Sequence, residues 1–329
     1  MDADKETPEK GLLAALGADS GRALERPAAQ TGRRTASEAF ADFFGAKISN
    51  DNTRAAYLSD VRQFAAWCAG EGLELERIQT LDVARYREAL KARSCSAATI
   101  KRKLSAIRRL LSYMVEAGAL PYNPAREVTT ERLKTKSGKT PALDAAQMRQ
   151  LFESFDTESL IQLRDRAIVS TMAYSLARVS AVTALKVQDF IDLGRTQYIR
   201  LHEKGGVERD IPAHPRLVEH LDAWLAASGI SGSHALFPAF ERRGTVVTSR
   251  AMDRNDVLRM VKRRLLAAGI PPVFSNHSFR ATGITEFLAN GGSLETAQEL
   301  ANHADSRTTR LYDRRASRME LEEIVRIRF

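Results

Sequence analysis

Cysteine is nearly missing from this chain: 329 residues contain two, Cys68 and Cys95, and no CxxC spacing. That excludes a disulfide framework and a cysteine-based metal site, and it predicts two reduced, half-buried helix thiols in a cytoplasmic protein. Long apolar runs are missing too. None approaches the roughly 20 residues that span a bilayer. The opening MDADKETPEK lacks the basic start of a signal peptide, and GLLAALG is too short to serve as one. A soluble, intracellular protein is expected, with no membrane partner. No internal repeat or low-complexity tract organises the chain.

Acidic residues are outnumbered: 41 Asp and Glu face 50 Lys and Arg, leaving a net charge of +9 and a pI near 9.7. Such a balance points to a polyanionic partner, most simply nucleic acid. Hydrophobic residues at 43% and charged residues at 28% fit a globular protein long enough for two domains.

Residues 1–35, rich in Ala, Gly, Pro and charge, read as a flexible tail. From 36 to 120 four helical patterns follow one another, each begun by a capping residue. In SNDNTRAAYLSDVRQFAAWCAGEG, Tyr57, Val61, Phe64 and Trp67 share one face before a glycine stop. These make a small helical domain. Residues 121–142 carry prolines and charge without apolar periodicity and read as a linker. From 143 to 316 helices are expected at 144–155, 159–174, 179–186, 214–228, 250–268, 277–290, 293–302 and 306–314, with a small antiparallel sheet between Asp189 and His214. The fold class is mainly α with a small antiparallel β-sheet, in two domains.

Two motif fragments fail on inspection. SGKT at 137–140 resembles the end of a phosphate-binding loop, but Leu133 stands where the first glycine belongs and no apolar strand precedes it. His202–Glu203 would need a histidine at Gly206 to form a zinc helix. No metal or nucleotide cofactor is expected.

Other residues carry chemistry. In NHSFRATGITEFLANGG, His277 and Arg280 share one face at a helix start, where backbone N–H groups suit a phosphate. Alone, they could equally be solvated side chains at a helix end. Arg178 sits amid apolar sequence and needs a partner anion if buried; a structural salt bridge would serve. Lys204 falls at a glycine-flanked hairpin turn, close enough to a backbone to approach a phosphate or else simply solvated. In ANHADSRTTRLYDRR, Tyr312 stands in a polar, arginine-rich stretch nine residues after His303. It is either a surface tyrosine or a hydroxyl presented to negative charge.

Taken in order, Arg178, Lys204, His277-x-x-Arg280, His303 and Tyr312 resemble the tyrosine recombinases, or phage integrase family, across roughly residues 36–316. The resemblance implies a helical core DNA-binding domain and an α+β catalytic domain. It also implies DNA cleavage and rejoining through a 3′-phosphotyrosine and a four-way junction. Tyr312 would be the nucleophile, Arg178, Arg280 and His303 donors to the anionic transition state, His277 the base, and Lys204 the acid for the leaving 5′-oxygen. Tyrosine's ordinary pKa of about 10 makes that help necessary. The phosphotyrosine keeps the bond energy, so neither ATP nor a metal is implied.

One departure stands out: Ala181 replaces the acidic residue usual three positions after the first arginine. Asp165 and Asp189 are candidate substitutes. The partners implied are double-stranded DNA with specific sites, a homotetramer on DNA that is monomer or dimer when free, and accessory proteins. DNA contacts are expected from Lys101, Arg102, Lys103, Arg108 and Arg109 on one helix. Arg250, Arg254, Arg259, Lys262, Arg263 and Arg264 would add a second, the two suiting a clamp around a duplex. For each residue a solvated helix face is the other reading. The apolar tail 317–329 is expected to dock on a neighbouring protomer or on its own domain.

Two other functions stay open: a regulator with an impaired recombinase fold, supported only by Ala181, and a type IB topoisomerase, opposed by the compact N-terminal helical domain. The tail at 1–35 looks too short for the arm-site domain of larger phage integrases.

Overall fold

The computed structural model describes residues 36–74, 77–130, 140–202, 206, 208–241, 246–303 and 306–313. The expected tails at 1–35 and 317–329, and Lys204, lie outside them. The chain divides into two compact units, with the boundary between 134 and 135.

The first unit holds four helices among the described residues. They are α1 (Ala36–Asp42), which continues as a wider π-turn over Phe43–Lys47, α2 (Asp51–Gly70), α3 (Thr80–Ala92) and α4 (Ala97–Glu116). Their starts are locally encoded. The Asn50 and Ser96 side chains accept from the N–H groups of Thr53 and Thr99, caps that contribute about 1 kcal/mol each. On α4, Ile100, Leu104, Ile107, Leu111 and Met114 recur at helical spacing and are all buried, in one core with Phe43, Phe64 and Tyr86.

Two sequence expectations change here. Cys68 is buried in α2, where burial and then Asp82 push its thiol up to about 12, but Cys95 lies in the turn before α4, not in a helix. Part of the expected linker packs on the helical unit. Arg108 donates to the carbonyls of Ala125 and Val128, both buried, and Asn123 donates to the Arg108 carbonyl.

The second unit is built on α6 (Leu160–Tyr174), buried along most of its length. Around it lie α5 (Ala145–Glu153), α7 (Val179–Ala184), α8 (Pro215–Ser228), α9 (Arg254–Ala267) and α10 (Asn276–Ala289). α11 (Leu294–Leu300) and α12 (Ser306–Arg310) follow. The sheet is antiparallel, in the order β1 (Phe190–Asp192), β2 (Gln197–His202), β3 (Glu208–Pro212), with Ile199 opposite Ile211 facing the core.

A second hairpin, β4 (Pro238–Glu241) and β5 (Val246–Ala251), was not expected from the sequence. Arg250 therefore lies on a strand, and the helix read from 250 begins at Arg254 behind the Asp253 cap. No described helix is long and apolar enough to cross a membrane.

Candidate active site

The site begins where α6 ends. Leu176 turns into the left-handed region at φ 54°, a conformation costing a non-glycine residue about 1–2 kcal/mol. That turn aims the Leu176 carbonyl at the guanidinium of Arg280 and places Arg178, exposed, at the start of α7. Arg280 comes from the first turns of α10. Phe279 and Ala281 anchor that helix in the protein interior, and Gly283 lets it approach α6. A Cβ at Gly283 would lie 2.2 Å from the Ala173 carbonyl oxygen.

Arg280 is 2% exposed and donates to the carbonyls of Leu176 and Ala301. Arg178 donates to the carbonyl of Asn302 at 3.4 Å. Asn302 is itself left-handed, at φ 45°, a position Asn tolerates. Both guanidiniums thus converge on the residues just before His303.

His303 is buried, and its Nδ1 lies 2.9 Å from the Thr309 hydroxyl. Its ring stacks on that of Tyr312, with centroids 6.0 Å apart and planes 15° apart. Tyr312 is placed from three sides. Its N–H donates to the Thr309 carbonyl, its own carbonyl accepts from the Thr285 hydroxyl, and its ring packs beside Leu176, Ile284 and Leu288. His277 is exposed, and partial desolvation, and then the Arg280 and Arg178 charges, push its pKa below the ordinary imidazole value. It is therefore neutral near pH 7 and able to accept a proton.

Five of the six expected residues, Arg178, His277, Arg280, His303 and Tyr312, come together in this way. The sixth, Lys204, lies outside the described residues. The expected substitutes for the acid at Ala181 are occupied elsewhere. Asp165 is gripped through both oxygens by Arg164 and Arg264, and Asp189 bonds the Lys186 N–H and His202. What the sequence did not reveal is that backbone carbonyls hold both arginines. Thr309 was visible three residues before Tyr312, but its role was not.

The expected DNA-contact residues separate into two groups. Lys101, Arg102, Arg109, Arg250, Arg254, Arg259 and Arg263 are exposed. Lys103 is a correction: it is 5% exposed, with its ammonium on Asp60 and Gln63. Its place on the stripe of Ile100, Leu104 and Ile107 turns it inward. Arg108 holds the 125–128 turn, Lys262 donates to the Pro272 carbonyl, and Arg264 grips Asp165. Among the described residues, no cluster of His, Cys, Asp or Glu could hold a metal ion.

The sequence profile of the phage integrase family matches residues 141–318, and that of the phage integrase N-terminal SAM-like domain matches residues 40–118. Tyrosine recombinase XerC of Pelobacter propionicus is 33% identical over 266 residues, covering 79% of this chain and 84% of that protein. Among solved structures, the XerH site-specific recombinase bound to difH substrate in a pre-cleavage complex aligns with a TM-score of 0.65 at 20% identity. That alignment covers 83% of this chain and 79% of the other. A lambda integrase tetramer bound to a Holliday junction aligns at 0.64 and 17% identity, covering 86% and 78%. The last two are likenesses of fold.

Proposed function

The chain belongs to the phage integrase family, and on that premise we propose that Tyr312 is the nucleophile of its strand cleavage. The protein is a site-specific tyrosine recombinase whose partner is double-stranded DNA. The reading of Tyr312 rests above all on one observation: its ring lies against His303, beside two arginines that point toward the same turn.

In the proposed step, the Tyr312 hydroxyl oxygen attacks the scissile phosphorus and its proton passes to the neutral His277 ring. Arg178, Arg280 and His303 Nε2 donate to the non-bridging oxygens as charge builds. The bond to the 5′-oxygen breaks, and Lys204 Nζ gives that oxygen its proton. A 3′-phosphotyrosine and a 5′-hydroxyl remain. Attack by the 5′-hydroxyl of a second duplex reverses the chemistry and releases Tyr312. Paired exchanges by four protomers would form and then resolve a four-way junction.

Residues 36–130 would supply the core DNA-binding domain and residues 143–316 the catalytic domain. Lys101, Arg102, Arg109, Arg250, Arg254 and Arg263 would contact phosphates, so binding should weaken steeply with salt. The setting would be bacterial cytoplasm, on the nucleoid, and the task integration, excision or resolution of a mobile or chromosomal element.

The test is a nicked suicide substrate carrying sites from the flanks of the encoding gene, incubated with wild type and Tyr312→Phe. The expected result is a DNA-linked protein band on a denaturing gel from wild type alone. A band of equal strength from Tyr312→Phe would remove Tyr312 from the role.

A further inference from the structure

Four successive backbone carbonyls at the end of α11 are met by three arginines. Arg209, on β3, donates Nη1 to the Glu299 carbonyl at 2.5 Å and Nη2 to the Leu300 carbonyl at 3.2 Å. Arg280 meets the next carbonyl, that of Ala301, and Arg178 the one after, that of Asn302. The last carbonyls of a helix lack partners within it, so cations are favoured there. Two of these arginines belong to the proposed catalytic set. Arg209 does not, yet it holds the same turn, two residues upstream.

We infer that Arg209 is a positioning residue for strand cleavage, acting through the 299–303 turn. The inference rests on the reading of His303 and Tyr312 given above. His303 follows this turn directly, and Thr309 links it to the turn that carries Tyr312. Fixing two adjacent carbonyls fixes both the height and the rotation of the segment. A guanidinium suits this because its planar fork presents two donors at a set spacing, whereas a lysine offers one point charge on a flexible stem. Arg209 also lies on the strand that follows Lys204 in the sequence. A rival account would have it act on leaving-group protonation instead.

The experiment uses the full chain with Arg209→Gln and Arg209→Lys. Single-turnover cleavage is measured on an ordinary suicide substrate and on one with a bridging 5′-phosphorothiolate, whose sulfur leaves without needing a proton. The expected result is a cleavage rate lowered roughly a hundredfold in the Gln variant, the scale of a small misplacement of reacting groups, and by less in Lys. DNA affinity stays within about twofold, because the phosphate contacts lie elsewhere. The deficit persists on the phosphorothiolate.

Restoration by the phosphorothiolate would overturn the inference in favour of the leaving-group account. Cleavage within about twofold of wild type in both variants would overturn it too, since a misplaced turn must slow the reaction. Should the Gln variant fail to fold by thermal melting, the Lys variant, which keeps the charge, decides on the same two criteria. Failure of wild type itself to form an adduct would bring down the reading of Tyr312, and this inference with it; the wild-type lane identifies that case.

Discussion

Each unit buries a basic side chain that the sequence offers to a polyanion, and each unit holds it differently. In the helical unit, Lys103 is 5% exposed and its ammonium faces the Asp60 carboxylate. In the catalytic unit, Arg280 is 2% exposed and is met by the carbonyls of Leu176 and Ala301. A carboxylate cancels a cation's charge. A carbonyl orients the cation and leaves its charge in place. The Arg164–Asp165–Arg264 cluster shows that the catalytic unit uses carboxylates as well, where the cation serves the fold. The contrast therefore follows role, not location: Lys103 holds two helices together, and Arg280, on the proposed reading, receives the scissile phosphate.

The sharpest way to break this comparison is to neutralise both cations. Arg280→Gln should lower suicide-substrate cleavage by about a thousandfold, the upper range for losing a transition-state donor. Lys103→Met should leave cleavage per folded molecule within about twofold, since Arg102 still pairs with the Asp60 carboxylate and Lys103 lies outside the proposed catalytic set. Equal losses in the two variants would erase the distinction.

A smaller effect separates the units by stability. Asp60→Ala leaves Lys103 buried against no carboxylate and should destabilise the helical unit by about 3 kcal/mol. The chain has two tryptophans, Trp67 in the first unit and Trp224 in the second, so urea unfolding read in single-tryptophan variants reports each unit separately. The Trp224 transition should not move.

The smallest effect is titration. All six histidines lie beyond residue 200, in the second unit. Burial, and then the charge of Arg166, push His220 down to about 4, against the ordinary 6.5. A folded pKa below the unfolded one means that the unfolded chain takes the proton first, so stability is full above the unfolded value and falls as pH drops. Between pH 7.5 and 5 the loss should be about 2 kcal/mol. It should appear in the Trp224 signal and be reduced in His220→Gln. A matching slope in the Trp67 signal would contradict its confinement to the second unit.

What the sequence disclosed follows from how local each signal is. Helix starts at Ser96 and Asp144, and the pairs His277–Arg280 and His303–Tyr312, depend on neighbours a few residues apart. Both kinds of signal could be read. The inward turn of Lys103 was also readable from its place on the apolar stripe, but its basic neighbours on both sides obscured it. The β4–β5 hairpin escaped because its strands are short and partly exposed, giving no clear alternation. The carbonyls that hold the arginines could not be read at all. Every residue has one, and nothing in the sequence marks the left-handed turns at Leu176 and Asn302 that place two of the three. Arg209 was missed for the same reason, because its partners are backbone atoms some 90 residues away.

The most direct test of the central claim is to locate the bond itself. The covalent complex from a suicide substrate would be digested with trypsin and nuclease, and the nucleotide-bearing peptide sequenced by mass spectrometry. The account predicts a nucleotide joined through its 3′-phosphate to Tyr312, within the tryptic peptide 311–314. A nucleotide joined to another residue, or through a 5′-phosphate, would contradict it.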